Sequence, residues 1–233
     1  MKTLKQLQCM QDRNVLITGA AGSLGQMVVS TIIEMGGNLV LVDRPGISLN
    51  YIDDRTKNGS KIQKIECDLE DPQDRSAMIG SLTDQGLKLD VLINNAAFVG
   101  STALDGWTAP FELQSVQTWR RALEVNLTAP FDLSQGLRPL LLKSANATIV
   151  NIASIHGVVA PDFSLYLDTD MGNPAAYSAS KGGLINLTRW LASSLAPEIR
   201  VNAISPGGMF NHQPEKFVSR YVKKTPLGRM ART

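Results

Sequence analysis

Apolar and polar positions along the chain fall into two alternating rhythms. Short apolar, β-branched runs predict strands at about residues 14–18, 38–42, 61–66, 89–93, 147–153 and 199–204. Between them the apolar spacing turns helical, at about 24–35, 71–85, 115–143 and 175–196. Strands alternating with helices predict an α/β protein, a parallel sheet covered on both faces. At 233 residues the chain is long enough for one such domain with a sizeable core. Pro130 interrupts the third helical stretch and predicts a kink or break there.

Residues just past the strand ends carry the candidate chemistry. Gly19, Asp43, Asp68, Asn94, Ser154 and Pro206 all fall there, and ligands on such sheets bind outside the carboxyl ends of the strands. The first strand, Asn14–Thr18, feeds Gly19-Ala-Ala-Gly22-Ser-Leu-Gly25 and then a helical pattern. A glycine-rich turn between strand and helix lets the backbone approach a pyrophosphate, and the helix start offers free N–H groups. Asp43 ends the second strand 24 residues after Gly19, close to the offset of a carboxylate that accepts from a ribose 2′-OH. Together these predict dinucleotide binding.

Tyr177 and Lys181 lie four residues apart in Pro-Ala-Ala-Tyr-Ser-Ala-Ser-Lys-Gly-Gly, on one face of a helix. An ammonium beside a phenol favours the phenolate, so the tyrosine can exchange a proton near neutral pH. Such a pair also occurs as a plain solvated helix pair. Here it follows Asn94-Asn95-Ala96-Ala97, Asn126 within Leu-Glu-Val-Asn, and Ser154 at the end of Ala147-Thr-Ile-Val-Asn-Ile-Ala-Ser. Val201-Asn-Ala-Ile-Ser-Pro206-Gly207 comes after it.

From residue 14 to about 208, in family order, these elements resemble the single-domain short-chain dehydrogenase/reductases. The resemblance implies a Rossmann-like, doubly wound parallel sheet in three αβα layers. It implies an NAD(P)-dependent oxidoreductase (EC 1.1.1.-) that interconverts an alcohol and a carbonyl by hydride transfer. Tyr177 would be the general acid/base, and Lys181 would hold down its pKa and bond the nicotinamide ribose. Ser154 would donate to the substrate oxygen, and Asn126 would position a water leading from Lys181 to solvent. For the cofactor, Gly19, Ser23, Leu24 and Gly25 would surround the pyrophosphate, and Asp43 the adenine ribose. Asp68 and Leu69 would flank the adenine. Asn94, Asn95, Ala96 and Ala97 would line the path to the nicotinamide, with Pro206 and Gly207 beyond it. Asp43 repels a 2′-phosphate, so NAD is the expected cofactor; Arg44 keeps NADP as the lesser alternative.

The chain departs from the family pattern in four places. Ser23 and Ala97 stand where glycine is usual. Ser154 and Tyr177 are 23 residues apart, a wider gap than usual, which adds a loop around 160–173. Tyr166 is nearer the usual spacing, but Asp170 follows it four residues on, so it is rejected as the catalytic tyrosine. The chain stops at Thr233, where the family continues through a helix and a last strand; the expectation is a missing C-terminal strand and an exposed sheet edge. The segments 155–174 and 208–229 are the expected substrate loops. The first, with Ser205–Pro214, is similar to oxidoreductases of flagellin or surface-sugar modification.

Composition adds limits. The formal net charge of +2 is uneven: residues 211–233 hold six basic residues against one acidic. Lys216 and Arg220 there suggest recognition of a sugar or other anionic substrate, set against a simple solvated helix. The small total charge argues against nucleic acid, and no apolar run is long enough for a membrane span. Met1–Gln8 lacks the apolar stretch of a signal peptide. Cys9 and Cys67 have no metal spacing, so a cytoplasmic protein with reduced thiols and no metal is expected. The family implies a homodimer or homotetramer acting on a small molecule. An extended-type nucleotide-sugar epimerase or dehydratase and a non-catalytic dinucleotide sensor are the rival readings.

Overall fold

The computed structural model describes residues 9–52, 59–100 and 102–232. The first eight residues, read above as no signal peptide, lie outside the described residues. Six strands form one parallel sheet: β1 (Asn14–Thr18), β2 (Asn38–Asp43), β3 (Ile62–Glu66), β4 (Val91–Asn94), β5 (Ala147–Ile152) and β6 (Ile199–Ile204). Their order across the sheet is β3-β2-β1-β4-β5-β6, and every pairing is parallel. The order reverses between β1 and β4, and a crevice opens at such a switch point.

Both faces of the sheet are covered. In β1, Leu16 joins one apolar cluster with Leu92, Leu133 and Leu140, while Val15 and Ile17 join another with Val29 and Ile33. That is why β1 reads as a continuous apolar run rather than an alternating one. The covering helices are α1 (Ser23–Glu34), α2 (Pro72–Asp84), α3 (Val116–Leu123), α4 (Ala129–Gly136), the short α5 (Arg138–Leu141) and α6 (Ala175–Leu195). A last helix, α7 (Glu215–Lys224), lies beyond β6.

The expected single helix over 115–143 is divided. A π-helical turn, Glu124–Thr128, joins α3 to α4, and Ala129 N–H bonds the Glu124 carbonyl five residues back. Pro130 has no N–H for the Asn126 carbonyl at the usual four-residue spacing, so the ladder shifts just upstream of the proline. At the β6 edge, among the described residues no strand pairs its outer side. The tail turns elsewhere, where Ala231 makes an isolated parallel bridge with Met209.

Candidate active site

The glycine turn is shaped by close approach. Gly19 has φ +65°, and a Cβ there would lie 2.8 Å from the Ala96 Cα. A Cβ on Gly25 would lie 2.2 Å from the Gly19 carbonyl oxygen. A side chain at either position would destroy the turn. Gly22 caps α1 with no side-chain bond, and the first turn of α1 holds no acidic residue. The free N–H groups and positive dipole end fit a pyrophosphate. Ser23 is exposed and Leu24 half-buried at this helix start, so serine in place of glycine leaves the turn intact. Asp43 closes the turn from β2: its carboxylate accepts Ala21 N–H and Arg44 N–H, each at 2.9 Å. Two of about four lone-pair positions on the carboxylate are left for ribose hydroxyls. Asp43 also lines a cavity of about 510 Å³ with Ile47, Lys64 and Glu66.

The residues after β4 and β3 divide between brace and lining. Asn95 Nδ2 donates to the carbonyls of Thr18 and Gly19, both at 2.9 Å. Thr18 Oγ1 accepts the N–H groups of Asn95 and Ala96 at 3.0 Å. Asn94 Nδ2 donates to Asn151 Oδ1 at 2.8 Å, and Asn151 Nδ2 to Thr188 Oγ1 at 2.9 Å. The Asn94 and Asn95 side chains thus hold the wall, which leaves their main chain for the path to the nicotinamide. Ala96 and Ala97 are half-buried, Ala96 beside Gly19. Asp68 is exposed, whereas Leu69 is packed in the core, which leaves only its main chain for an adenine.

The proposed catalytic residues converge. Tyr177 occupies the first turn of α6, and Ser154, 6% exposed at the end of β5, is within hydrogen-bonding reach of the phenol. Lys181 follows one turn later, 2% exposed, with Nζ 5.9 Å from the Tyr177 ring centroid. Two contacts seat the lysine. Nζ donates to the Ile152 carbonyl at 2.7 Å. Gly157 lets the 3-10 turn Ile155–Gly157 press on α6, where a Cβ would lie 2.7 Å from the Lys181 main chain. Burial lowers the Lys181 pKa to about 8. Burial raises that of Tyr177, with the Ser154 bond acting in the opposite sense. Desolvation of the buried phenolate is the largest influence on Tyr177, and the Lys181 ammonium is bonded to the Ile152 carbonyl. Asn126 is wholly buried, and its side chain is fully engaged. Oδ1 accepts Phe98 N–H at 2.7 Å, and Nδ2 donates to the Phe98 carbonyl and to Ser180 Oγ, both at 3.1 Å. Ser180 in turn donates to the Tyr177 carbonyl at 2.8 Å.

The two expected substrate loops form one unit. Leu165, Phe217 and Met230 make a small buried cluster, with Tyr166 packed 5.3 Å from the Phe217 ring. Arg220 bonds the Leu167 carbonyl and pairs with Asp168 at 3.0 Å. Lys224 pairs with Asp162 and bonds Ser164 at 2.8 Å. Arg220 thus ties α7 to the other loop. Lys216 remains exposed and makes no ion pair among the described residues. Pro206 accepts Ile155 N–H at 3.1 Å, and Tyr221 OH accepts Gly208 N–H at 2.6 Å, so α7 closes over the Pro206–Gly207–Gly208 turn. Tyr166 belongs to this rim, in line with its rejection as the catalytic residue.

The family model of short chain dehydrogenases matches residues 13–216. This chain belongs to the short-chain dehydrogenase family. A rhamnolipid-biosynthesis 3-oxoacyl-[acyl-carrier-protein] reductase of Pseudomonas aeruginosa is 31% identical over 84% of this chain and 72% of its own. The post-translational flagellin modification protein A of Campylobacter coli is 26% identical over 92% of this chain and 84% of its own. A Leptospira borgpetersenii short chain dehydrogenase with bound NAD+ superposes with a TM-score of 0.81 at 31% identity, covering 99% of this chain and 84% of that one. The Pseudomonas aeruginosa RhlG/NADP active-site complex does so at 0.81 and 28% identity, covering 97% and 86%.

Some structural residues of this dehydrogenase escaped the sequence reading. Gln114 is one: its Oε1 accepts Ala175 N–H at 3.1 Å and so caps α6, whose own N-cap, Pro174, has no side-chain bond. Asn151 and Thr188 are others, and nothing local marks them. Gly157 and Gly183 were legible as small residues, but the close approaches they permit were not. Both cysteines are unpaired, Cys9 exposed and Cys67 buried. Among the described residues no helix is long and apolar enough to cross a membrane.

Proposed function

We propose that this dehydrogenase interconverts an alcohol and a carbonyl by hydride transfer with NAD, Tyr177 moving the proton. The observation that supports this most is Tyr177 and Ser154 facing one another across the ends of α6 and β5, with buried Lys181 one turn away. The nicotinamide supplies or accepts the hydride when it is bound. The chain's residues handle the rest. With its pKa raised, the Tyr177 phenol is protonated at neutral pH and ready to donate to a carbonyl oxygen as charge develops there. Ser154 Oγ donates to the same oxygen. The Asn126 side chain is occupied, so any water between Lys181 and solvent would be held by the Asn126 carbonyl. Asp43 favours the 2′-hydroxyl of NAD over a 2′-phosphate. The protein would act on a small substrate such as a sugar, as a cytoplasmic homodimer or homotetramer. Exposed Val116, Phe131 and Trp190 are apolar surface suited to a subunit contact.

The test is a screen of carbonyl substrates with NADH and NADPH, wild type beside Tyr177→Phe, with cofactor dissociation constants for both proteins. The expected result is turnover only by wild type and tighter binding of NADH. Cofactor binding without turnover of any substrate would favour the sensor reading. A variant with most of the wild-type rate would remove Tyr177 from its role.

A further inference from the structure

We propose that Arg121 and Arg75 are positioning residues of the cofactor cleft, fixing the loop beside the adenine to the helical turn that carries Asn126. The proposal rests on the dinucleotide reading above. Residues 68–71 leave β3 at the edge of that cleft. Their local anchors are all short-range: Asp74 accepts Asp68 N–H at 3.0 Å, Asp68 accepts Glu70 N–H at 2.9 Å and, on its carbonyl, Asp71 N–H at 3.0 Å, and Asp71 accepts Gln73 N–H at 2.8 Å and Arg75 N–H at 3.2 Å. Two arginines complete the hold. Arg75 of α2, 3% exposed, donates to the Leu69 carbonyl at 2.6 Å, to Asp132 at 2.6 Å and to Glu124 at 2.8 Å. Glu124 opens the π turn, and Asn126 is two residues on. Arg121 of α3 grips both oxygens of Glu70, at 2.6 and 2.9 Å. The same guanidinium stands 5.8 Å from the Phe98 ring centroid, and Asn126 holds both main-chain groups of Phe98.

The Arg121 side chain is 40% exposed, so its pair with Glu70 adds little to global stability. A planar fork on a carboxylate does define direction, which lysine cannot reproduce. The fork therefore acts on where the loop sits more than on whether the domain folds. Arg75 is different. Its buried guanidinium is tolerated because each of its three contacts is an acceptor.

Calorimetric titration with ADP-ribose, a probe for the adenine half, separates position from folding. Arg121→Gln and Glu70→Gln are each expected to weaken ADP-ribose binding about tenfold, the scale of one lost charge-assisted bond. Melting temperatures should stay close to wild type, and Arg120→Gln, an exposed neighbour, should bind normally. The charge swap Glu70→Arg with Arg121→Glu should recover most of the affinity. Arg75→Lys should weaken binding too, with loss of stability; the Arg121 and Glu70 variants carry the test if it fails to fold. Single variants that bind within about twofold of wild type would overturn the proposal, as would a swap that recovers nothing. Wild type that binds neither ADP-ribose nor NADH would overturn the dinucleotide reading itself, and this proposal with it.

Discussion

The wall at the strand ends and the rim above it are built on different principles. In the wall, Asn126, Ser154 and Lys181 are buried and held by main-chain groups: Phe98, His156 and Ile152. Glycines let backbones touch where any side chain would collide. In the rim, the loop at 162–168 and α7 are joined by ion pairs whose members are 31–67% exposed, over a cluster of three buried side chains. The wall tolerates almost no change in shape. The rim can exchange residues at small cost, as surface loops do.

The sharpest test of that contrast is at Tyr177. Tyr177→Phe keeps the ring and removes the proton donor, so turnover should fall about a thousandfold while NADH binding and melting temperature hold. Gly157→Ala tests the wall's shape. Its Cβ would meet the Lys181 main chain at 2.7 Å, and neither side is a flexible side-chain end. Denaturant unfolding should show a loss of about 3 kcal/mol. Gly80→Ala is the counterpart on exposed α2, where nothing lies within 4 Å of the new carbon. It should stabilise by up to about 1 kcal/mol. Equal effects of the two alanines would break the account of the wall.

The same contrast explains what was legible in the sequence. All six strands and the Gly19–Gly25 turn were readable, because each depends on residues adjacent in the chain. So was Tyr177 with Lys181, one helical turn apart. The bracing bonds of the Asn94 and Asn95 side chains were not legible, because their partners, Asn151 and Thr18, are 57 and 77 residues away. The Arg220 ion pair was not legible for the same reason: its carboxylate, Asp168, lies 52 residues back in another loop. The spacing of Lys181 from Tyr177 was legible, but the burial of both was not, since burial cannot be judged from spacing alone.

Lys181 also predicts a pH dependence. Its folded pKa of about 8 lies below the ordinary 10.5, so between those values the unfolded chain holds more proton. Stability from this group therefore rises as pH goes from about 8 toward 10.5. At pH 7 the charged lysine, its bond to the Ile152 carbonyl included, costs on the order of 3 kcal/mol, and removing it leaves that carbonyl without a bond worth about 1. Lys181→Met should thus raise stability by about 2 kcal/mol at pH 7 and abolish turnover. The gain should shrink toward pH 10.5. A variant less stable than wild type at pH 7 would mean that the lysine's bond outweighs its burial.

The smallest effects belong to the rim. Arg220→Ala or Asp168→Ala removes one exposed pair, and global unfolding should change by less than about 1 kcal/mol. The readout is local. If the loop and α7 are one unit, hydrogen exchange should rise together over 160–170 and 215–224 in either variant, with the strands unaffected. Raised salt should have the same effect in wild type, because exposed pairs are screened. Acid should act later. Lys224, then Ser164, pull the Asp162 carboxyl down to about 2. A depressed carboxylate contributes above its ordinary value and loses that contribution only as pH falls through about 2. The Lys224 contact should therefore persist from pH 7 to about 4. Exchange that rises in the loop while α7 stays protected would show that the Phe217 cluster, not the ion pairs, joins the two segments.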